Sequence, residues 1–234
     1  MLTSIVFTLI SLFFIFLIQR GAYVSLPTAP RRPVREIVEA GLLAGCLLIL
    51  RFIHFDLFWL SGWTSAYLVF GLLAPMVMEW GVRRRSLSAI GFRMPENKKT
   101  LVLAAILFGL YLAARLVIPP LLGATFMFSW QEFFSNSVIF PFVEEVIFRG
   151  MIQTRLEAVW GSVRAWILSG LFFGLYHYYV HYLVIGRPLA VSDVLSLVFL
   201  TAFGMLLGVI YAKTRSLLPS YLIHAINNLS LFPM

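Results

Sequence analysis

The sequence predicts an all-α fold, a polytopic membrane bundle of about eight transmembrane helices. Of its 234 residues 61% are hydrophobic and only 12% are charged, and the mean hydropathy is +0.92. The apolar residues gather in runs of about twenty, the length that a helix needs to cross a bilayer. Most cations lie in the short segments between these runs. Together these observations place most of the chain in lipid.

Eight apolar runs define the expected helices, and none of them repeats another. They cover residues 2–19, 36–54, 63–80, 100–122, 136–155, 163–185, 192–212 and 217–232. The first lacks a preceding cation and a small-residue cleavage site, so we expect a retained span rather than a signal peptide. The second is the weakest, because polar residues crowd its end, and the eighth is short. The polar stretch 81–100 contains a few apolar residues and is expected to lie along the membrane interface.

The loops alternate in charge, and this predicts the topology. The loops after spans one, three, five and seven hold most of the cations, whereas the opposite loops hold only Arg51 and Arg187. The positive-inside rule then places the basic loops in the cytoplasm and both termini outside. Cations distributed in this way orient a membrane protein, so no nucleic-acid partner is expected despite the net charge of +8. Cys46 is the single cysteine, which excludes a disulfide within the chain.

The fifth span carries the first candidate site residues, Glu144, Glu145 and Arg149. Ionisable groups at membrane depth are costly and usually face a bundle interior or a wet cavity. Glu145 and Arg149 are four residues apart, share a helical face and can form an ion pair with a structural role. Glu144 points to a neighbouring face. We therefore expect Glu144 to carry chemistry.

Two later spans add histidines and an asparagine. His177 and His181 share one face of the sixth span, and His224 and Asn228 share one face of the eighth. A histidine beside a glutamate can activate water, and the two histidines four apart also resemble half of a zinc site. The simpler interpretation of each pair alone is interhelical hydrogen bonding.

Three strings, in separate helices and in this order, resemble the signature motifs of one family. They are E-E-x-x-x-R from Glu144, F-x-x-x-H from Phe173 to His177, and H-x-x-x-N from His224 to Asn228. The family is the CPBP family, which contains the type II CAAX prenyl endopeptidases and the bacterial Abi proteins. The resemblance covers about residues 100–232.

The resemblance implies an intramembrane endopeptidase with assigned roles for these residues. Glu144 and His177 activate the attacking water, and His224 and Asn228 stabilise the oxyanion. Glu145, Arg149 and Phe173 support the site. The family has been described both as metalloproteases and as metal-independent glutamate proteases. No recognised zinc-binding string occurs here, so we expect no cofactor, with zinc as the alternative. His181 lies outside the motifs, and Arg215 stands where relatives often carry glycine.

The resemblance divides the chain and indicates its partners. Residues 1–99 are expected to form N-terminal helices with a basic cytoplasmic loop, and residues 100–234 the catalytic helical core. The expected substrate is a membrane-embedded or lipid-anchored peptide or protein, in the lipid bilayer of a bacterial inner (plasma) membrane. The alternatives are a non-catalytic bacteriocin self-immunity or membrane binding protein, and a transporter that relays protons.

Overall fold

A computed structural model gives the fold of most of the chain. It describes residues 2–20, 23, 32–50, 52–53, 62–95, 97–121, 126–127, 129–180, 190–229 and 232–233. His181, Arg51 and Arg187, named above from the sequence, lie outside the described residues.

The described chain is almost entirely helical. The α-helices are α1 (Leu2–Gln19), α2 (Pro33–Leu50), α3 (Trp63–Pro75), α4 (Lys98–Leu121), α5 (Trp130–Glu132), α6 (Phe140–Glu144), α7 (Thr154–Tyr178), α8 (Val191–Thr214) and α9 (Leu217–Asn227). Wider π-helical turns cover Met76–Val82, Phe133–Ile139 and Glu145–Gln153, and a 3₁₀ helix covers Leu87–Ile90. Two two-residue strands, β1 (Phe126–Met127) and β2 (Phe232–Pro233), pair antiparallel.

The all-α membrane fold is confirmed, and the count of eight holds only approximately. Each predicted span overlaps a helical segment of the structure. In the described part of the chain, four helical stretches are long and apolar enough to cross a membrane, namely Thr64–Val82, Lys98–Ile118, Trp130–Tyr178 and Val191–Thr214. The eighth span was predicted too long, because α9 ends at Asn227 and β2 follows.

The stretch Trp130–Tyr178 contains the predicted fifth span and most of the predicted sixth span as two arms. The chain turns between them at Gly161, where φ is 78° and ψ is 166°, a backbone conformation that favours glycine. The arms then pack side by side, and the hydroxyl of Ser169 donates to the carbonyl of Phe148 at 3.2 Å. This hairpin brings the glutamates of one arm opposite His177 on the other.

Close packing of α7 against α8 depends on small residues. A methyl group added at Gly170 would lie 2.6 Å from the backbone nitrogen of Met205, and one added at Gly204 would lie 3.1 Å from the carbonyl oxygen of Gly170. Gly208 is similarly enclosed by Gln153 and Trp166. The small-xxx-small spacing of Gly204 and Gly208 therefore serves close helix approach.

The segment after α3 packs against the bundle through Ile90, and its expected place at the membrane interface stays a prediction. Ile90 is buried, and its carbonyl oxygen would lie 2.7 Å from a methyl group added at Gly150. The next residue, Gly91, has φ 99°, and its carbonyl accepts from the backbone N–H of Leu217 at 3.0 Å. The segment is thereby fixed to the start of α9.

Arg215 has a structural role in the same region. It adopts a left-handed conformation at the end of α8, with φ 53°, and is buried. Its guanidinium donates to Glu157 at 2.6 Å, and its carbonyl accepts from Arg93 at 3.0 Å. These contacts join the basic loops after α3 and α8 to the start of α7.

We predict that Gly170→Ala destabilises the protein whereas Gly109→Ala does not. The first methyl group would contact the backbone of α8, which costs about 1–3 kcal/mol in free energy of unfolding. Nothing lies within 4 Å of a methyl group at Gly109, and alanine favours the helix there. Thermal unfolding in detergent measures both variants. Equal melting temperatures of the two variants would contradict the close approach of α8 to Gly170.

Candidate active site

Glu144 lies at the meeting point of three helical elements. It ends α6 and is 5% exposed. Its Oε2 atom is 3.8 Å from Nε2 of His177 on α7 and 3.6 Å from Nε2 of His224 on α9. The structure thus brings Glu144 and His177, which are expected to activate water, together with His224, which is expected to stabilise the oxyanion.

The neighbours of His177 determine which of its ring nitrogens faces Glu144. Its Nδ1 lies 2.9 Å from the carbonyl oxygen of Phe173, one turn earlier on α7. A carbonyl oxygen only accepts hydrogen bonds, so Nδ1 is assigned the proton. Nε2 of neutral His177 then presents its lone pair towards Glu144.

His224 lies between the two glutamates. Its Nδ1 is 2.9 Å from Oε1 of Glu145, and its Nε2 faces Glu144. Because a carboxylate accepts, the hydrogen bond to Glu145 places a proton on Nδ1. The imidazole is buried at 1% exposure. A carboxylate that holds one imidazole nitrogen orients the ring.

Arg149 is fully buried and anchors Glu145 from the other side. Its Nε lies 3.5 Å from Oε2 of Glu145, and its Nη2 donates to the carbonyl of Gly204 at 3.0 Å. The guanidinium carbon lies 4.7 Å from the centroid of the Phe173 ring. The ion pair predicted from the i,i+4 spacing is therefore present, and it also connects this arm to α8.

The charges of the cluster balance when it holds one additional proton. Glu144 and Glu145 contribute two negative charges and Arg149 one positive charge. One proton shared among Glu144 and the two histidines makes the buried group neutral, which avoids the cost of burying net charge.

Aromatic rings surround the histidines. Phe173 lies 4.4 Å from the ring of His177 and 5.5 Å from that of His224, centroid to centroid. Phe203 of α8 contacts His224 edge to face at 5.6 Å. The F-x-x-x-H motif indicated Phe173 as a site residue, whereas the sequence analysis did not identify Phe203. One aromatic residue in an apolar helix carries no signal that separates it from the core.

Asn228 lies one turn after His224 at the end of α9. Its backbone N–H donates to the carbonyl of His224 at 3.0 Å, and its own carbonyl accepts from Ser137 at 3.0 Å. The side-chain oxygen of Asn228 accepts from Asn227 at 3.2 Å. None of these contacts involves Glu144, so the oxyanion role of Asn228 stays a prediction.

A largely apolar cavity of about 490 Å³ borders the cluster at Glu145. Its walls come from the segment after α3, from α6 and from the start of α9, and include Phe92, Phe142, Leu217 and Tyr221. An apolar cavity beside a few polar groups is the usual form of a ligand site.

The family comparison agrees with this arrangement. Residues 126–230 match the family model described as type II CAAX prenyl endopeptidase Rce1-like. These residues are similar to the Rce1-like domain of that family. The family recognised from the three motifs is thereby confirmed, and the Rce1-like domain contains every candidate site residue. No curated protein and no solved structure gives a significant match.

The match to the Rce1-like family supports a general activity and location. At family level it supports a membrane peptidase of the CAAX protease type, acting on membrane-associated protein substrates. With the apolar helices, it makes the chain an integral membrane protein.

We predict that Arg149→Met strongly destabilises the protein. The substitution leaves buried Glu145 without its arginine, and breaking a buried pair costs about 3–5 kcal/mol in free energy of unfolding. Unfolding in a detergent titration measures the change. Arg164→Met, at an exposed position, is the control and should change the free energy by less than about 0.5 kcal/mol. Similar losses in both variants would contradict the role of Arg149.

Proposed function

We propose that the protein is an intramembrane glutamate-type endopeptidase that hydrolyses a peptide bond with a water activated by Glu144 and His177. The observation that carries the proposal is the convergence of Oε2 of Glu144 and Nε2 of both histidines within 3.8 Å. These separations exceed a hydrogen bond, and we propose that the attacking water contacts these atoms.

The first step is attack by water on the scissile carbonyl carbon. Glu144 takes a proton from the water as the new carbon–oxygen bond forms, and the lone pair on Nε2 of His177 orients the same water. The carbonyl of Phe173 fixes the His177 ring for this task. Burial of Glu144 excludes bulk water, which would otherwise compete for the carboxylate.

The second requirement is stabilisation of the oxyanion. His224 can donate from Nε2 only when both of its nitrogens are protonated, because its Nδ1–H is directed to Glu145. His224 is the proposed first donor. Asn228 is the proposed second donor. The carbon–nitrogen bond then breaks, and protonated Glu144 returns its proton to the leaving amine.

The substrate is proposed to be a membrane-embedded or lipid-anchored peptide or protein. The apolar cavity at Glu145 supports this, because it offers an apolar group of the substrate a place beside the reacting centre. We also propose a bacterial inner-membrane location, with the basic end of the bundle in the cytoplasm and both termini outside.

We predict that Glu144→Gln abolishes cleavage while the protein stays folded. Glutamine has nearly the same shape but cannot accept a proton, and loss of a general base costs about 10²–10⁴ in rate. The measurement compares protein termini in the membrane proteomes of cells with the wild type and the variant. Glu132→Gln is the control, because Glu132 is exposed and lies outside the cluster.

Termini that depend on the wild type and persist with Glu144→Gln would overturn the catalytic assignment. If neither protein produced any termini, the result would instead favour the non-catalytic immunity or binding function.

We propose a metal-free mechanism. The imidazole nitrogens and Glu144 are atom types that zinc accepts. However, no group of three or more His, Cys, Asp or Glu side chains in the described part of the chain has a geometry that could hold a metal ion. Activity should therefore survive chelators, and purified active protein should contain far less than one zinc per chain. Loss of activity with a chelator, restored by zinc, would establish the metalloprotease alternative.

A further inference from the structure

A second cavity, whose lining includes neither Glu144 nor Glu145, is formed mainly by arginines. It has a volume of about 390 Å³ and is formed by Arg32, Arg35, Glu36, Val82, Arg83 and Arg85. We propose that this cavity binds a phosphate group, supplied by the head group of an anionic phospholipid or by free phosphate. The proposal does not depend on the proposed peptidase function.

Arg83 forms the fixed wall of this cavity. Its guanidinium donates to both oxygens of Glu36 at 2.8 and 2.7 Å and to Oε2 of Glu39 at 2.6 and 2.9 Å. Burial alone would lower the pKa of Arg83, but the hydrogen bonds and charges of Glu36 and Glu39 raise it above its ordinary value. Arg83 is therefore a permanent, preorganised cation.

Beneath Arg83, a buried ion network supports the cavity. Arg155 donates to Oε2 of Glu39 at 2.9 Å and to Oε1 of Glu79 at 2.7 Å. Arg85 donates to Oε2 of Glu79 at 2.7 Å. The network links α2 and the π-helical turn Met76–Val82 to the arm that carries Glu144 and Glu145. The cavity therefore has a rigid base.

The remaining cations of the wall are available to a ligand. Arg32 forms no ion pair with any other described residue, and it is exposed. Arg35 uses its Nε for Glu39 at 2.7 Å, and its side chain keeps 42% exposure. Forked guanidinium groups bind phosphate oxygens through paired, charge-assisted hydrogen bonds.

The charge balance favours an anion. The wall and its supporting network contain five arginines and three glutamates, so their net charge is +2. A phosphodiester carries one negative charge and fits this excess. The N-terminus of α2 also lies at the cavity, and the positive end of a helix dipole attracts anions.

The position of the cavity matches that of a lipid head group. Val82 is the last residue of the apolar stretch Thr64–Val82, so the cavity lies where a membrane-crossing helix leaves the hydrocarbon. Basic pockets between transmembrane helices at this depth are a recurring form of head-group site. The alternation of charge between successive loops of the sequence predicts that this end of the bundle faces the cytoplasm.

The test is lipid binding to the purified full chain in neutral detergent, measured by native mass spectrometry. Phosphatidylglycerol, phosphatidylcholine and inorganic phosphate are titrated separately. The wild type should bind phosphatidylglycerol at least about tenfold more tightly than phosphatidylcholine. The double variant Arg32→Gln/Arg35→Gln should lose at least about tenfold in phosphatidylglycerol affinity, since it removes charge-assisted hydrogen bonds.

The control is Lys98→Gln/Arg164→Gln, which removes the same charge from exposed positions outside the cavity. It should stay within about threefold of the wild type, because charges beyond about 10 Å are screened at moderate salt. Equal loss in both double variants, or no loss in the first, overturns the site. If the first double variant fails to fold, Arg32→Gln alone serves, because it breaks no ion pair among the described residues.

The titration with inorganic phosphate distinguishes a lipid head group from free phosphate as the ligand. Competition of millimolar phosphate with phosphatidylglycerol, lost in Arg32→Gln/Arg35→Gln, assigns the site to a free phosphate group. Phosphatidylglycerol binding without such competition assigns it to the lipid head group.

Discussion

The paired burial of Glu145 and Arg149 is the constraint on which the rest of the site depends. An unpaired carboxylate at this depth would be too costly to retain its charge. With Arg149 on one oxygen, Glu145 can hold Nδ1 of His224 with the other, at 2.9 Å. That contact fixes α9 against the glutamate arm and directs Nε2 of His224 towards Glu144. Stability and the proposed chemistry thus use the same ion pair.

Close helix packing brings the backbone of α8 within hydrogen-bonding distance of Arg149. The carbonyl of Gly204 accepts from its guanidinium only because α8 approaches without a side chain at that position. Gln153 repeats the contact one turn later by donating to the carbonyl of Gly208 at 2.8 Å. The glycine pair therefore serves two ends. It lets α7 and α8 pack closely. It also exposes the carbonyls of Gly204 and Gly208 to Arg149 and Gln153, two polar side chains that would find no hydrogen-bond partner in lipid.

The sequence allowed the helices and most of the cluster to be predicted, for identifiable reasons. Apolar runs of membrane length and alternating loop charge located the spans, and the i,i+4 spacing of Glu145 and Arg149 predicted their pairing. The shared proximity of both glutamates to His224 could not be predicted, because it depends on how α9 docks. The strand pair β1–β2 is too short to leave a periodic signal, and Phe203 resembles any other core residue. The π-helical turns carry no sequence signature either.

The turn at Gly161 has a consequence for biogenesis. Both glutamates, Arg149 and His177 belong to one hairpin, whereas His224 is contributed by α9, which comes later in the chain. During membrane insertion the hairpin therefore holds its acidic residues with Arg149 as their cation before His224 has been synthesised. The proposed site therefore lacks His224 until α9 docks against the hairpin.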